Sequence, residues 1–215
     1  MVRKLSSEQS RREVGFEPLG ALQSHFDALA MQVRGWAGRR SRVLTLGVMG
    51  AASQVGTSLV TANLANSLAE SSFSGQVALV AAENEQASAA GLIEVLAHEK
   101  QLEDCLVNGW RDNLKVLPFG KLAGSDSRTI PWAKLSDLVQ RELSSFDFVL
   151  FDLVPTSASK FSQPIASQLD GLLLVCRSES EQTAELNPMR RFLRDFPVEI
   201  LGKVINRSVD RGRAR

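Results

Sequence analysis

From residue 43 to residue 205 the chain alternates short apolar, β-rich runs with stretches of helical character, a rhythm that few architectures accommodate. The runs are residues 43–48, 77–81, 114–117, 148–152, 172–176 and 199–205. Most are continuous apolar segments, which suits strands covered on both faces. The intervening segments 58–70, 89–98, 130–143 and 183–194 are long enough for crossover helices. An α/β fold with a doubly wound, mainly parallel sheet is therefore expected, and 215 residues suffice for one such domain with a short appendage. Ligands in such sheets bind beyond the carboxyl ends of the strands, so the residues following each run matter most.

Ahead of the first run, residues 1–17 are polar and charged and read as a solvated arm. Leu19, Leu22, Phe26, Leu29, Val33 and Trp36 then recur at steps of three and four, one face of an amphipathic helix. That face either packs on the chain's own domain or docks a partner or second copy. A basic hinge, GRRSR at residues 38–42, follows. The expected division is an N-terminal arm and helix over residues 1–41 and the α/β domain over 42–215.

Composition narrows the chemistry. The 44% hydrophobic and 23% charged content is that of a globular chain, which excludes collagen-like, disordered and disulfide-scaffold classes. With 25 Lys+Arg against 24 Asp+Glu there is no global field for a polyanion, and no nucleic-acid partner is expected. The arginines at 207, 211, 213 and 215 read as a solvated tail. Cys105 and Cys176 are too few for a disulfide framework, which points to the cytoplasm, and His25 and His98 cannot build a histidine metal cluster. The first fifteen residues lack a signal-peptide apolar core, and no run approaches the roughly 20 apolar residues of a membrane span.

VLTLGVMGAASQVGTSLVTANLANSLAE, residues 43–70, combines an apolar strand, a loop of small residues and a helix beginning near Thr57. This is the layout of a P-loop, in which backbone N–H groups and a helix N-terminus wrap a phosphate. The pattern GxxxxGK[ST], relaxed to Ala at its first place, lies over residues 51–58 with Gly56 and Ser58 in register. Thr57 stands where the phosphate-binding lysine belongs. A charge-assisted hydrogen bond is worth about 1.5–3 kcal/mol, so that change alone weakens nucleotide binding roughly ten- to a hundredfold. A plain strand-to-helix turn that binds nothing has the same spacing.

Later segments follow in a recognisable order: VALVAAEN from Val77, GLIEVL from Gly91, LKVLPFG from Leu114, FDFVLFDLVP from Phe146, DGLLLV from Asp170 and GKVINR from Gly202. Together they resemble the cytoplasmic domain of bacterial tyrosine autokinases of capsule and exopolysaccharide synthesis, within the MinD/ParA-type deviant P-loop ATPases. The resemblance spans roughly residues 26–208 and implies a P-loop NTPase-like fold with an N-terminal helical extension. It implies ATP or ADP with Mg2+ as cofactor, held weakly or not at all. The nucleotide positions it carries over are Ala51, Ser53, Gly56, Thr57, Ser58, Glu83 and Asn206, the last where the family contacts adenine. Its metal positions are Ser58 and Asp152, and Asp152, followed by Pro155, is the one catalytic candidate.

Departures from the family's pattern point to lost chemistry. The first aspartate of its second acidic motif falls on Ala81, leaving Glu83 as the carboxylate nearby. The terminal tyrosine cluster is missing, since the chain has no tyrosine. The Glu-x-x-Arg-x-x-Arg oligomerisation motif is broken, with Glu8 and Arg11 in place but Val14 third. A catalytically impaired scaffold or regulator is expected, whose partner is a membrane chain-length-determinant or polysaccharide export protein, or an active ATPase homologue. Homo-oligomers and peripheral placement at the inner membrane through a partner are compatible with that role. The alternative is a weakly active nucleotide enzyme that takes its cation from elsewhere, such as Arg177.

Overall fold

Strand β1 (Leu44–Gly50) is buried along its whole length, as an apolar run between two other strands must be. The structure, a computed structural model, describes residues 20–38, 42–70, 75–83, 89–121, 129–155, 159–177 and 198–207. Among these, β1 joins β2 (Val77–Val80), β3 (Val107–Asn108), β4 (Leu114–Leu117), β5 (Phe148–Leu153), β6 (Gly171–Cys176) and β7 (Glu199–Ile205). Their order is β3-β4-β2-β5-β1-β6-β7. Each described pairing is parallel except that of β3 with β4. The doubly wound, mainly parallel sheet expected from the apolar runs is thus the one observed. The chain moves from β1 toward β2 on one side and later places β6 on the other, so the strand order reverses at β1, where a ligand crevice opens in such sheets.

Alternation along the central strands divides the core into two layers. Leu46 and Val48 of β1, Phe148 and Leu150 of β5, and Leu173 and Val175 of β6 pack with α1 (Gln23–Ala37) and α2 (Thr57–Glu70). Met49, Val149, Phe151, Leu172 and Leu174 face the opposite layer, which includes α3 (Leu92–Leu96), α5 (Leu135–Arg141) and α6 (Ser162–Ala166). A four-residue helix, α4 (Leu102–Cys105), leads into β3.

Of the N-terminal stripe, Phe26, Leu29, Val33 and Trp36 pack on the α/β domain, Leu22 is exposed, and Leu19 lies outside the described residues. Phe26, Ala30, Val33 and Ala37 of α1 are buried, while Leu29 and Trp36 are half-buried against the same layer. The two alanines let α1 approach α2 closely. Polar ties fix its register: Gln23 Nε2 donates toward Ser67 Oγ at 3.1 Å and Glu70 Oε2 at 2.9 Å, and Arg34 donates to the Leu68 carbonyl at 2.6 Å.

Several bounds differ from expectation. β1 continues to Gly50 because Gly50 still pairs with Val175. The helix expected over 89–98 is confined to Leu92–Leu96: Gly91 packs against the Pro118 carbonyl, leaving no room for a Cβ, and His98 adopts φ 60° after the last turn. Between 130 and 143, Pro131 precedes a 3-10 turn, Trp132–Lys134, and α5 is correspondingly short. The expected helix at 183–194 and the motif at Glu8, Arg11 and Val14 lie outside the described residues.

Candidate functional site

The loop of residues 51–56 springs from β1 at the strand-order reversal. It is tethered at its start by Ala51 N–H, which donates to the Val175 carbonyl at 2.8 Å. Two residues then adopt left-handed backbone, Gln54 with φ 60° and Gly56 with φ 86°. Glycine makes that conformation inexpensive at 56, whereas at Gln54 it is uncommon for a residue with a Cβ. Val55 is buried and pins the loop from below, while Ser53 and Gln54 are exposed at its outer turn. Helix α2 begins immediately, with Val60 N–H donating to the Gly56 carbonyl at 3.0 Å.

Two side chains from neighbouring strand ends hold this loop by its carbonyls. Asn206, following β7, donates from Nδ2 to the Val55 carbonyl at 2.9 Å, and its backbone N–H donates to the Cys176 carbonyl at 2.8 Å. Arg177, following β6, donates to the Gln54 carbonyl at 3.0 Å. The Asn206 amide sits so near Gly56 that a Cβ there would collide with Nδ2.

Thr57 is half-buried at the start of α2, with its hydroxyl turned back toward the end of β1. A Cβ added to Gly50 would lie 2.5 Å from Thr57 Oγ1, so this hydroxyl occupies the space that the glycine leaves. One residue on, Ser58 sets its hydroxyl beside the Asp152 carboxylate, and Thr61, one turn further along the same helix face, sets a second one there. Thr61 Oγ1 is also 2.9 Å from the Thr57 carbonyl. Asp152 belongs to β5, opposite Val48 of β1, and is 8% exposed. Burial pushes its pKa from 3.8 up to about 6, with the hydroxyl hydrogen bonds from Ser58 and Thr61 opposing that rise.

Ala81 lies one residue past the Val80–Phe151 pair and so stands level with Asp152 across the sheet. Its N–H donates to the Leu117 carbonyl at 3.0 Å, which extends the β2–β4 ladder. Ala81 and Glu83 are both half-buried beyond the end of β2.

The positions singled out in the sequence therefore divide into three groups. Ala51, Gly56, Thr57 and Ser58 form the loop and the first turn of α2, with Asp152 drawn to Ser58 and Asn206 to Gly56. Ser53 faces outward on the loop, and Glu83 follows β2. Thr61, Gln54 and Val55 were not singled out, although the three-residue step from Ser58 places Thr61 on the Asp152-facing side of α2. Among the described residues no group of three or more His, Cys, Asp or Glu side chains is positioned to hold a metal ion. None of the described helices is long and apolar enough to cross a membrane.

No protein-family model matches the chain. No curated protein matches it by sequence. Solved structures do. The kinase domain of the Escherichia coli tyrosine kinase ETK superposes with a TM-score of 0.73 at 18% identity, covering 90% of this chain and 78% of that one. The chimerical protein CapA2B2 gives 0.71 at 19% identity, covering 94% and 99%. MinD of Pyrococcus horikoshii, solved as a complex with Mg-ADP, gives 0.59 at 19% identity, covering 76% and 70%. The chain thus has the fold shared by bacterial tyrosine kinase domains and by MinD-type septum site-determining proteins.

Proposed function

We propose that this protein is a catalytically impaired relative of the tyrosine autokinases, acting as a scaffold or regulator in exopolysaccharide or capsule biosynthesis and export. The observation that carries this reading is the state of the phosphate loop. Thr57 replaces the lysine and packs its hydroxyl toward Gly50, while Ser58 is engaged with Asp152. Ala81, level with Asp152, offers no carboxylate to organise Mg2+ or accept a proton. The residues present do not fit a lysine-clamped Mg2+-nucleotide, because phosphoryl transfer depends on cations that neutralise the charge developing on the phosphate. With no tyrosine in the chain there is also no acceptor for autophosphorylation on tyrosine.

On this reading the retained sheet and α1 serve as a binding platform for a membrane chain-length-determinant or export protein, or for an active ATPase homologue. Cytoplasmic placement with peripheral attachment through such a partner follows from that role. The test is turnover: Mg-ATP hydrolysis and kinase activity of the full chain at background level support the proposal, and a rate near that of an intact tyrosine kinase domain refutes it.

A second reading rests on Arg177. Its guanidinium reaches the Gln54 carbonyl at 3.0 Å and brings a cation to the loop that lacks its lysine. If Arg177 replaces that lysine, the protein binds Mg-ATP and Arg177→Ala abolishes the affinity, whereas an impaired scaffold shows no affinity to lose.

A further inference from the structure

We propose that a second copy of this chain docks on the face formed by α3 and α5, with its α5 antiparallel to the first, so that Lys134 meets Glu142 of the second copy and Asp137 meets its Arg141. A groove of about 290 Å3 runs between the two helices on this face. Val95 and Leu96 of α3 and Leu138 of α5 are its buried floor. Lys134, Asp137, Arg141 and Glu142 border it, and all four are exposed. Lys134 and Glu142 flank α5 with right-handed helical backbone, so the four charges ride on one continuous helical stretch. Asp137 and Arg141 stand four residues apart, a spacing at which opposite charges often pair within a helix. Yet none of the four side chains forms an ion pair or a hydrogen bond among the described residues.

The order of the signs selects the occupant. Along the helix they read plus, minus, plus, minus, and the same series read backwards opposes every charge with its opposite. A two-fold interface has this property by necessity, since residue i meets residue j and j meets i. Lys134 with Glu142 and Asp137 with Arg141 are centred on Leu138 and on residue 139, about 1.5 Å apart along the axis, an offset that long side chains absorb. A parallel copy in register would set like charges opposite one another. The four charges also cancel, so neither a polyanion nor a polycation is drawn to this face. Exposed ion pairs are each worth little, so the dimer is weak and sensitive to salt. This interface does not depend on whether the phosphate loop binds nucleotide.

The experiment is sedimentation velocity of the full chain over a concentration series at low and high salt, with two charge reversals. The parent is expected to pass from monomer to dimer with concentration, and less readily at high salt. Asp137→Arg and Arg141→Glu each set like charges opposite one another at both symmetric contacts, and each should weaken the dimer at least about tenfold. Mixed in equal amounts, the two variants present opposite charges at both contacts, so their heterodimer should form about as tightly as the parent dimer. That rescue also separates a lost contact from a lost fold, because a misfolded variant cannot be restored by mixing. A parent that stays monomeric to its solubility limit, as a groove reserved for a different protein would leave it, would overturn the proposal. So would a dimer indifferent to the single reversals, or a mixture that associates no better than either variant alone.

Discussion

Asn206 Nδ2 donates a 2.9 Å hydrogen bond to the carbonyl of Val55, joining the end of the last strand to the loop after the first. The bond ties together two segments on opposite sides of β6, which separates β1 from β7 in the sheet. In this structure the Asn206 amide is thus spent on holding the loop's backbone.

Removal of that bond should loosen the loop. Asn206→Ala leaves a partly buried carbonyl without its donor, a loss of about 1 kcal/mol for a neutral hydrogen bond. Chemical denaturation should show a lower midpoint with an unchanged slope, and hydrogen exchange should rise at residues 54–57. Stability equal to the parent's would show that the bond carries no load.

Backbone conformation at the two left-handed positions makes opposite demands. Gly56→Ala places a Cβ at φ 86° and against the Asn206 amide, so it should cost more than the roughly 1 kcal/mol of left-handed strain alone. Gln54→Gly removes the same kind of strain at φ 60° and should raise stability by at most about 1 kcal/mol, offset in part by the freer unfolded chain. Thermal or urea unfolding of the pair checks both signs.

How much of this was readable from residue order alone depends on the scale of the feature. The central strands were legible because they are continuous apolar runs, and the loop at 51–58 because its small residues lie between such a run and a helix. Strand β3 was not, since Val107 and Asn108 have only two residues in which to show alternation, and neither was α6, where Pro164 sits inside a five-residue helix. Within the site, sequence placed Thr57, Ser58 and Asp152 but not their engagement. Whether Ser58 faces a metal or turns toward Asp152 is decided by side-chain rotamers. The roles of Asn206 and Arg177 as ties on the loop's carbonyls depend on the loop's backbone path, in which Gln54 takes a conformation that its residue type disfavours.

Burial of Asp152 should leave a signature in pH. Its folded pKa of about 6 lies above the ordinary 3.8. Between those values the folded protein therefore retains a proton that the unfolded chain has lost. Its contribution turns unfavourable as pH rises from about 4 to 6 and levels off above, at no more than about 3 kcal/mol. Asp152→Asn keeps the size of the side chain and, through its amide oxygen, an acceptor for the Ser58 hydroxyl, while Thr61 stays bonded to the Thr57 carbonyl. Relative to the parent, it should gain stability across that window and remain more stable at pH 7. A parent-minus-variant difference that is flat with pH would mean that Asp152 is ionised throughout.

Calorimetric titration of Mg-ATP into the parent and into Thr57→Lys with Ala81→Asp asks whether loop 51–56 has the backbone of a phosphate cradle and lacks only the charge. The parent should show no submicromolar binding and the double variant a gain of at least about tenfold, the scale of one restored charge-assisted hydrogen bond. Submicromolar affinity in the parent, or a double variant that binds no better, would show that the missing lysine and aspartate are not what disarms the loop.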